Sequence, residues 1–186
     1  MRWSHYPQPI GLFDPAAERD SCGVGFVASI DGTPSHQIVQ WAVQCVCNVT
    51  HRGALSADAK TGDGAGVTTQ IPHRLFTRIL KERKVEPPAM GDLAVGVIFL
   101  PQDARAAALA ARAVEEAVAA GELKLLGWRD VPVDSSVLGE QALKTLPMIR
   151  HALIARGSVA KEEFERRLFL VRRRIERSWE RSKIAD

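Results

Sequence analysis

The sequence predicts a mixed α/β fold. Short apolar runs bounded by turn residues alternate with longer stretches of helical period, which argues for strands and helices in alternation. The composition, 46% hydrophobic and 25% charged, is that of a soluble globular chain. At 186 residues, with no internal repeat and no long linker, the chain suits one domain with a sizeable core. Turn spacing alone leaves two architectures open, a doubly wound sheet and a sandwich.

Each element has a local reason. Residues 22–30 alternate small and apolar groups and suit a buried strand, closed by the turn-forming Asp31, Gly32, Thr33 and Pro34. Ser35 is a good N-cap, and Ile38, Val39, Ala42, Val43 and Val46 recur at helical spacing, so a helix should run to about Asn48. His51 to Gly66 reads as a long loop rich in Gly and Asp. Residues 65–71 read as a strand closed by Pro72, and 73–84 as a helix ended by Pro87 and Pro88. Leu93–Leu100 is a strand, 102–120 an alanine-rich helix, and 123–128 a strand leading to Pro132. Asp134 or Ser135 opens a short helix or loop. Residues 147–155 form a further strand and 161–181 a last helix.

That last helix carries Phe164, Leu168, Val171, Ile175 and Trp179 on one stripe, with Arg172, Arg173, Arg174 and Arg177 around it. Residues 161–183 hold nine Lys or Arg against five Glu, a surplus of four, which with Asp186 accounts for the net charge of +3. A basic amphipathic helix can serve a membrane surface or a nucleic acid. The reading preferred here is a core-packed helix with a solvated face, paired through Glu162–Arg166 and Glu163–Arg167. Neither a nucleic acid nor a membrane is expected as partner, and no apolar run approaches the ~18 residues of a membrane span. The three cysteines form no disulfide framework. Cys45 and Cys47 are spaced too tightly for a zinc site, so no metal is expected and a reducing, cytoplasmic compartment is.

Cys22 heads the run Cys22, Gly23, Val24, Gly25, Phe26, after a stretch without a secretory apolar core. One reading is a small buried cysteine at the start of a strand. The other removes residues 1–21 as a leader. A cysteine at a mature N-terminus carries its own base, because a free α-amine titrates near about 8 and can accept the thiol proton.

Six pieces favour the second reading. They are Asp14-Pro15; Asp20 with Cys22–Phe26; Ser35-His36 with Ile38-Val39; His51-Arg52-Gly53-Ala54; Ala57-Asp58; and Thr61 through Gly66. In this order they resemble the first domain of the glutamate synthase large subunit, a class II glutamine amidotransferase. Looser likeness continues through Gly96–Pro101, Leu126–Pro132 and Phe164–Leu168. Leu55-Ser56 and the polar Val67-Thr68-Thr69 depart mildly from the pattern.

The resemblance implies an N-terminal-nucleophile hydrolase, a four-layer αββα sandwich of helices outside two stacked antiparallel sheets. It implies a leader at 1–21 and, at 22–186, the N-terminal part of the amidotransferase domain. Cys22 is then the nucleophile that attacks the side-chain amide of glutamine. Arg52 supports nucleophile and substrate, with basic capping of a helix end as its alternative. Gly23 leaves room beside the thiol, and Asp63 is a weaker candidate for substrate binding. Asp58 and Asp63 are expected to anchor a tight turn through backbone N–H groups. The Gly62–Gly66 stretch lacks the Gly-Lys-Ser/Thr of a phosphate loop, although a nucleotide-binding protein remains an alternative. No cofactor is assigned to this chain; the family implies FMN and an iron–sulfur cluster in other domains. The implied partners are glutamine, the remaining glutamate synthase domains and a small subunit.

Relatives continue into Arg-Phe-Ser-Thr and Asn-Gly-Glu segments that complete the glutamine site and its oxyanion hole. Neither occurs here. The chain therefore reads as truncated, its sandwich incomplete, inactive by itself and with Trp179 exposed on a poorly packed last helix. A non-catalytic remnant or binding module of the same fold is the alternative.

Overall fold

The computed structural model describes residues 23–50, 53, 57, 58 and 60–182, and the expectations for Cys22, His51, Arg52 and the 1–21 leader lie outside them. The elements in chain order are α1 (His36–Asn48), α2 (His73–Glu82), β1 (Leu93–Leu100), α3 (Ala104–Ala120), β2 (Lys124–Asp130), a 3-10 turn (Ser135–Val137), α4 (Glu140–Lys144), β3 (Met148–Ala155) and α5 (Lys161–Ser182). The chain divides into two compact units, Met1–Ser56 with Gly62–Thr68, and Ala57–Thr61 with Thr69–Asp186.

The second unit is built on a three-stranded antiparallel sheet of order β1-β3-β2. Leu93 to Leu100 pair residue for residue with Ala155 to Met148, so β3 is the centre and gains a partner on each side. β2 pairs with β3 through Lys124–Ala155 and Leu125–Ile154, then slips at Leu126 and resumes at Gly127–Leu153. Gly127 stands at φ 141°, a conformation open to glycine and strained for any other residue. The extra residue is a β-bulge: Leu126 faces the side where α2 packs, and the added residue returns Trp128 to the side of α3 and α5.

Alternation along the strands separates two apolar faces. On one face Ala94, Ile98, Leu125, Trp128, Ala152 and Ile154 pack with α3 and α5 through Val114, Ala117, Val118, Phe164, Val171 and Ile175. Leu100 extends this core onto Ala107 and Ala110. On the other face Leu93, Val95, Leu126 and Leu153 pack with Phe76 and Leu80 of α2. α2 covers only part of that face: Val97 and Phe99, farther along β1, are 52% and 59% exposed.

The helices begin and end where their residues direct. Asp103 caps α3 by accepting the N–H of Ala106 at 2.8 Å, so the helix starts at Ala104 and not at Gln102. Gly121 ends it and lies against Val171 of α5. Ser35 caps α1 as expected, accepting from Gln37 at 3.2 Å.

Four expectations need correction. Neither 23–30 nor 65–71 is a strand; both run without a β-ladder, and among the described residues there is one sheet. Alternating small residues allow an extended backbone, but a strand needs a partner ladder, which no periodicity in one segment specifies. The helix α4 was not expected, because five residues carry too little periodic signal. Trp179 is not exposed: it is half-buried and packs against the core between α3, α5 and the sheet. The ion pairs on α5 also differ. Arg166 pairs with Glu163 at 3.1 Å, while Arg167 reaches Glu122 at the end of α3 at 2.7 Å. Arg172 pairs with Glu176 at 2.8 Å, and Arg173 reaches the same carboxylate. The apolar stripe itself is as expected, with Phe164, Val171 and Ile175 buried.

Candidate functional site

The glycines after Cys22 have a packing role that sequence alone did not show. In the first unit a Cβ at Gly23 would meet Val49 Cβ at 3.1 Å, and one at Gly25 would meet Cys45 Sγ at 3.9 Å. The small residues let this segment lie on the C-terminal half of α1. Ile38, Ala42, Cys45, Val46 and Val49 form the half-buried stripe of that helix, while Val39, Trp41 and Val43 stay exposed. Val24 and Phe26, on the alternate positions of the segment, are 85% and 92% exposed. Cys45 is thus a packing residue facing Gly25, and Cys47 is exposed.

The segment ends in a turn built on Asp31. Its carboxylate accepts from the Ser29 hydroxyl and from the N–H of Thr33 at 3.1 Å, and Gly32 follows at φ 71°. These bonds, the Ser29 hydroxyl first, hold the Asp31 carboxyl at about 2. At its other end α1 closes through Val49, whose N–H reaches carbonyls of the last turn, and Thr50 Oγ1, which donates to Cys47 O at 2.6 Å. The N–H of Gly53 donates to Thr50 O at 3.1 Å.

The Gly- and Asp-rich loop differs from the expected tight turn. The turn falls at Ala57-Asp58, while Gly62–Gly66 has none. Asp63, Gly64, Ala65 and Gly66 are exposed, and a Cβ at Gly64 or Gly66 would meet open space. The anchor is Asp58. Its Oδ1 accepts from the N–H of Thr61 at 2.7 Å and of Lys60 at 3.0 Å, and its Oδ2 accepts from Thr61 Oγ1 at 2.6 Å. The Thr61 hydroxyl first, and then the backbone donors, lower the Asp58 carboxyl to about 2. Sequence reasoning singled out Asp58 but missed the role of Thr61. The Asp-x-x-Thr spacing, which suits an Asx-type turn, was the available signal.

No group of three or more His, Cys, Asp or Glu side chains among the described residues could hold a metal ion. No helix among them is long and apolar enough to cross a membrane.

The family model for class II glutamine amidotransferases matches residues 22–186. The chain belongs to the class II glutamine amidotransferases. Its relatives include the ferredoxin-dependent glutamate synthase 2 of Synechocystis, 44% identical over 156 residues that make up 83% of this chain and 10% of the relative. The large chain of glutamate synthase [NADPH] from Azospirillum brasilense is 39% identical over 176 residues, 94% of this chain and 12% of its own length. The ferredoxin-dependent glutamate synthase 1 of Arabidopsis thaliana, named as chloroplastic/mitochondrial, is 38% identical over 92% of this chain and 11% of its own. This amidotransferase chain therefore spans about a tenth of the length of the curated relatives it matches. The match to the amidotransferase family starts at the cysteine that sequence reasoning singled out as nucleophile.

Proposed function

We propose that this chain carries the glutaminase half-reaction of a glutamate synthase, with Cys22 as nucleophile. The observation that carries the reading is the coincidence of Cys22 with the first residue of the family match, together with relatives named as glutamate synthases.

The chemistry follows from a free α-amine at Cys22. The amine, with an ordinary value of about 8, takes the thiol proton, and the thiolate attacks the side-chain amide carbon of glutamine. The tetrahedral intermediate collapses as the ammonium returns its proton to the leaving nitrogen. Ammonia departs and a glutamyl thioester remains. Water, deprotonated by the same amine, then adds to the thioester and releases glutamate and the thiol. An amine locked in a peptide bond cannot do this, so residues 1–21 are a leader that must be removed. Arg52 supports the substrate, and Gly23 leaves room at the thiol. Asp63, on the exposed glycine loop, is a weaker contributor to glutamine binding.

The ammonia serves glutamate synthesis from 2-oxoglutarate in other domains, with the flavin and iron–sulfur centre bound there. The half-reaction runs together with those domains and the oxyanion donors they border. In the full domain a second sheet completes the four-layer sandwich. The exposed Val97 and Phe99 are the side chains of this sheet that such a layer would cover. The enzyme works in a reducing compartment, the cytoplasm.

Intact-mass measurement of the protein from its native host, with and without a glutamine analogue bearing an electrophilic diazoketone, tests the reading. The expected product starts at Cys22 and carries one adduct there. An active enzyme that retains Met1 to Ser21 would overturn it.

A further inference from the structure

The apolar stripe of α5 lies in the core, where Phe164, Val171 and Ile175 are buried. The side turned to solvent is not plainly polar. Phe169 is 58% exposed and Leu170 51%. At about 100° per residue, Arg166, Arg173 and Arg177 fall within about 40° of one another, opposite the buried stripe, with Phe169 on one flank and Leu170 on the other. All five residues are exposed. From 166 to 177 the helix carries six arginines and one glutamate, Glu176. Arg172 and Arg173 share that carboxylate, Arg166 pairs with Glu163 at 3.1 Å, and Arg167 reaches across to Glu122. The face keeps a surplus of positive charge around two large apolar side chains.

An occupant of this face must answer both features. A membrane takes the apolar side of an amphipathic helix, and that side of α5 is held in the core. A nucleic acid would use the arginines, but it would leave Phe169 and Leu170 in water and set Glu176 among its phosphates. A second copy seated face to face would bring arginine against arginine. An acidic protein surface with an apolar patch satisfies the arginines and the two apolar side chains together, and arginine and phenylalanine are enriched in protein interfaces. The relatives carry the matching region as about a tenth of their length, which puts further domains of one polypeptide within reach of it. We propose that the Arg166–Arg177 face of α5 is a docking surface for an acidic, partly apolar patch on another domain of the same polypeptide. Phe169 and Leu170 supply the apolar contact, and the arginines fix the orientation by charge. The proposal rests on the glutamate synthase reading above.

The test uses the full protein that carries this chain. Phe169→Cys and Leu170→Cys are made singly, and their labelling by an uncharged maleimide is followed by mass spectrometry of the α5 peptide, in the folded protein and in urea. Each thiol should label at least about tenfold more slowly in the folded protein at low salt than in urea, as the covered centre of an interface does. Adding Arg173→Glu with Arg177→Glu should speed labelling about fivefold or more, because attraction to an acidic patch becomes repulsion. About 1 M sodium chloride should do the same without charge reversal. Unchanged hydrogen exchange on β3 checks that the charge-reversed protein is folded; where it is not, the salt arm decides. Faster labelling at either position in the folded protein, or protection that neither charge reversal nor salt relieves, overturns the proposal. Protection lost on dilution belongs to a second copy and overturns it too. Glutamine-dependent glutamate synthesis by the wild type keeps two failures apart. A protein without it overturns the glutamate synthase reading and this proposal with it; an active enzyme whose introduced thiols stay open overturns the docking alone.

Discussion

Arg156, the residue after β3, grips Asp92, the residue before β1, with both arms of its guanidinium. Nε donates to Oδ1 at 2.7 Å and Nη2 to Oδ2 at 3.1 Å, while the N–H of Arg156 donates to the Asp92 carbonyl at 3.0 Å. The two side chains are 24% and 23% exposed, so solvent screens the pair only in part. The Arg156 hydrogen bond is the main reason the Asp92 carboxyl sits below its usual range.

This fork fixes the open end of the β1–β3 ladder. Arg156→Lys should lower the melting temperature by a few degrees, because a lysine cannot reach both oxygens in one plane. Asp92 has a folded value below its unfolded one, so its contribution is complete above about pH 4 and fades as pH falls further. The difference between wild type and Asp92→Asn in urea denaturation should therefore shrink from pH 7 to pH 3. A constant difference over that range would show that the carboxylate charge is not what counts.

Asp58 makes a sharper pH statement. Its value of about 2, against an ordinary 3.8, means that the folded state binds fewer protons than the unfolded state between those values. The stabilisation from the Asp58 turn is present in full above about pH 4 and is lost as pH falls through 2. An NMR titration should place the Asp58 carboxyl near the lower value in wild type. In Thr61→Val, which removes the largest cause of the shift, it should move back up toward 3.8.

Gly121→Ala tests the α3–α5 contact. The backbone there has an ordinary φ of −83°, so alanine is conformationally allowed, but its Cβ would lie 2.5 Å from Val171 Cγ2. The helices must part, at a cost of about 1–3 kcal/mol in urea denaturation. Adding Val171→Ala should recover part of the loss, since the two residues are in contact and their effects are not additive.

Leu153 is fully buried at the centre of β3, and Leu109 on α3 is 56% exposed. Leu153→Ala should cost about 2–5 kcal/mol, whereas Leu109→Ala should stay within about 0.5 kcal/mol. Comparable losses at both positions would contradict the placement of the core beneath α2 and α3.

Glutamine hydrolysis by the full enzyme should vanish in Cys22→Ala, while synthesis from added ammonia persists. Cys22→Ser should keep at most a trace, because an alcohol is the weaker nucleophile near neutral pH. Cys47→Ala, at an exposed position of α1, should hydrolyse glutamine at the wild-type rate. Normal turnover in Cys22→Ala would remove the nucleophile assignment.

The sequence by itself determined the elements whose causes are local. Alternation and bounding turns placed β1 at Leu93–Leu100, and Ser35 set the start of α1. Apolar spacing drew the buried stripe of α5. Ordered motifs were enough to indicate the family, because their spacing is written along the chain. What depends on groups far apart in sequence was decided by tertiary structure. β3 became the central strand because the chain offers it antiparallel partners on both sides, and Gly127 took its positive φ because a bulge in β2 demanded it. Arg167 turned from its neighbour Glu163 to Glu122, since the packing of α5 on α3 puts that carboxylate within reach. Residues 23–30 and 65–71 had the pattern of strands but found no ladder, and a strand's hydrogen bonds belong to two segments and not to one. Asp58 stood out in the sequence as a turn anchor, but nothing there linked it or Thr61 to Gly139. Only when the fold brings them together does the missing side chain at 139 become the space that the other two fill.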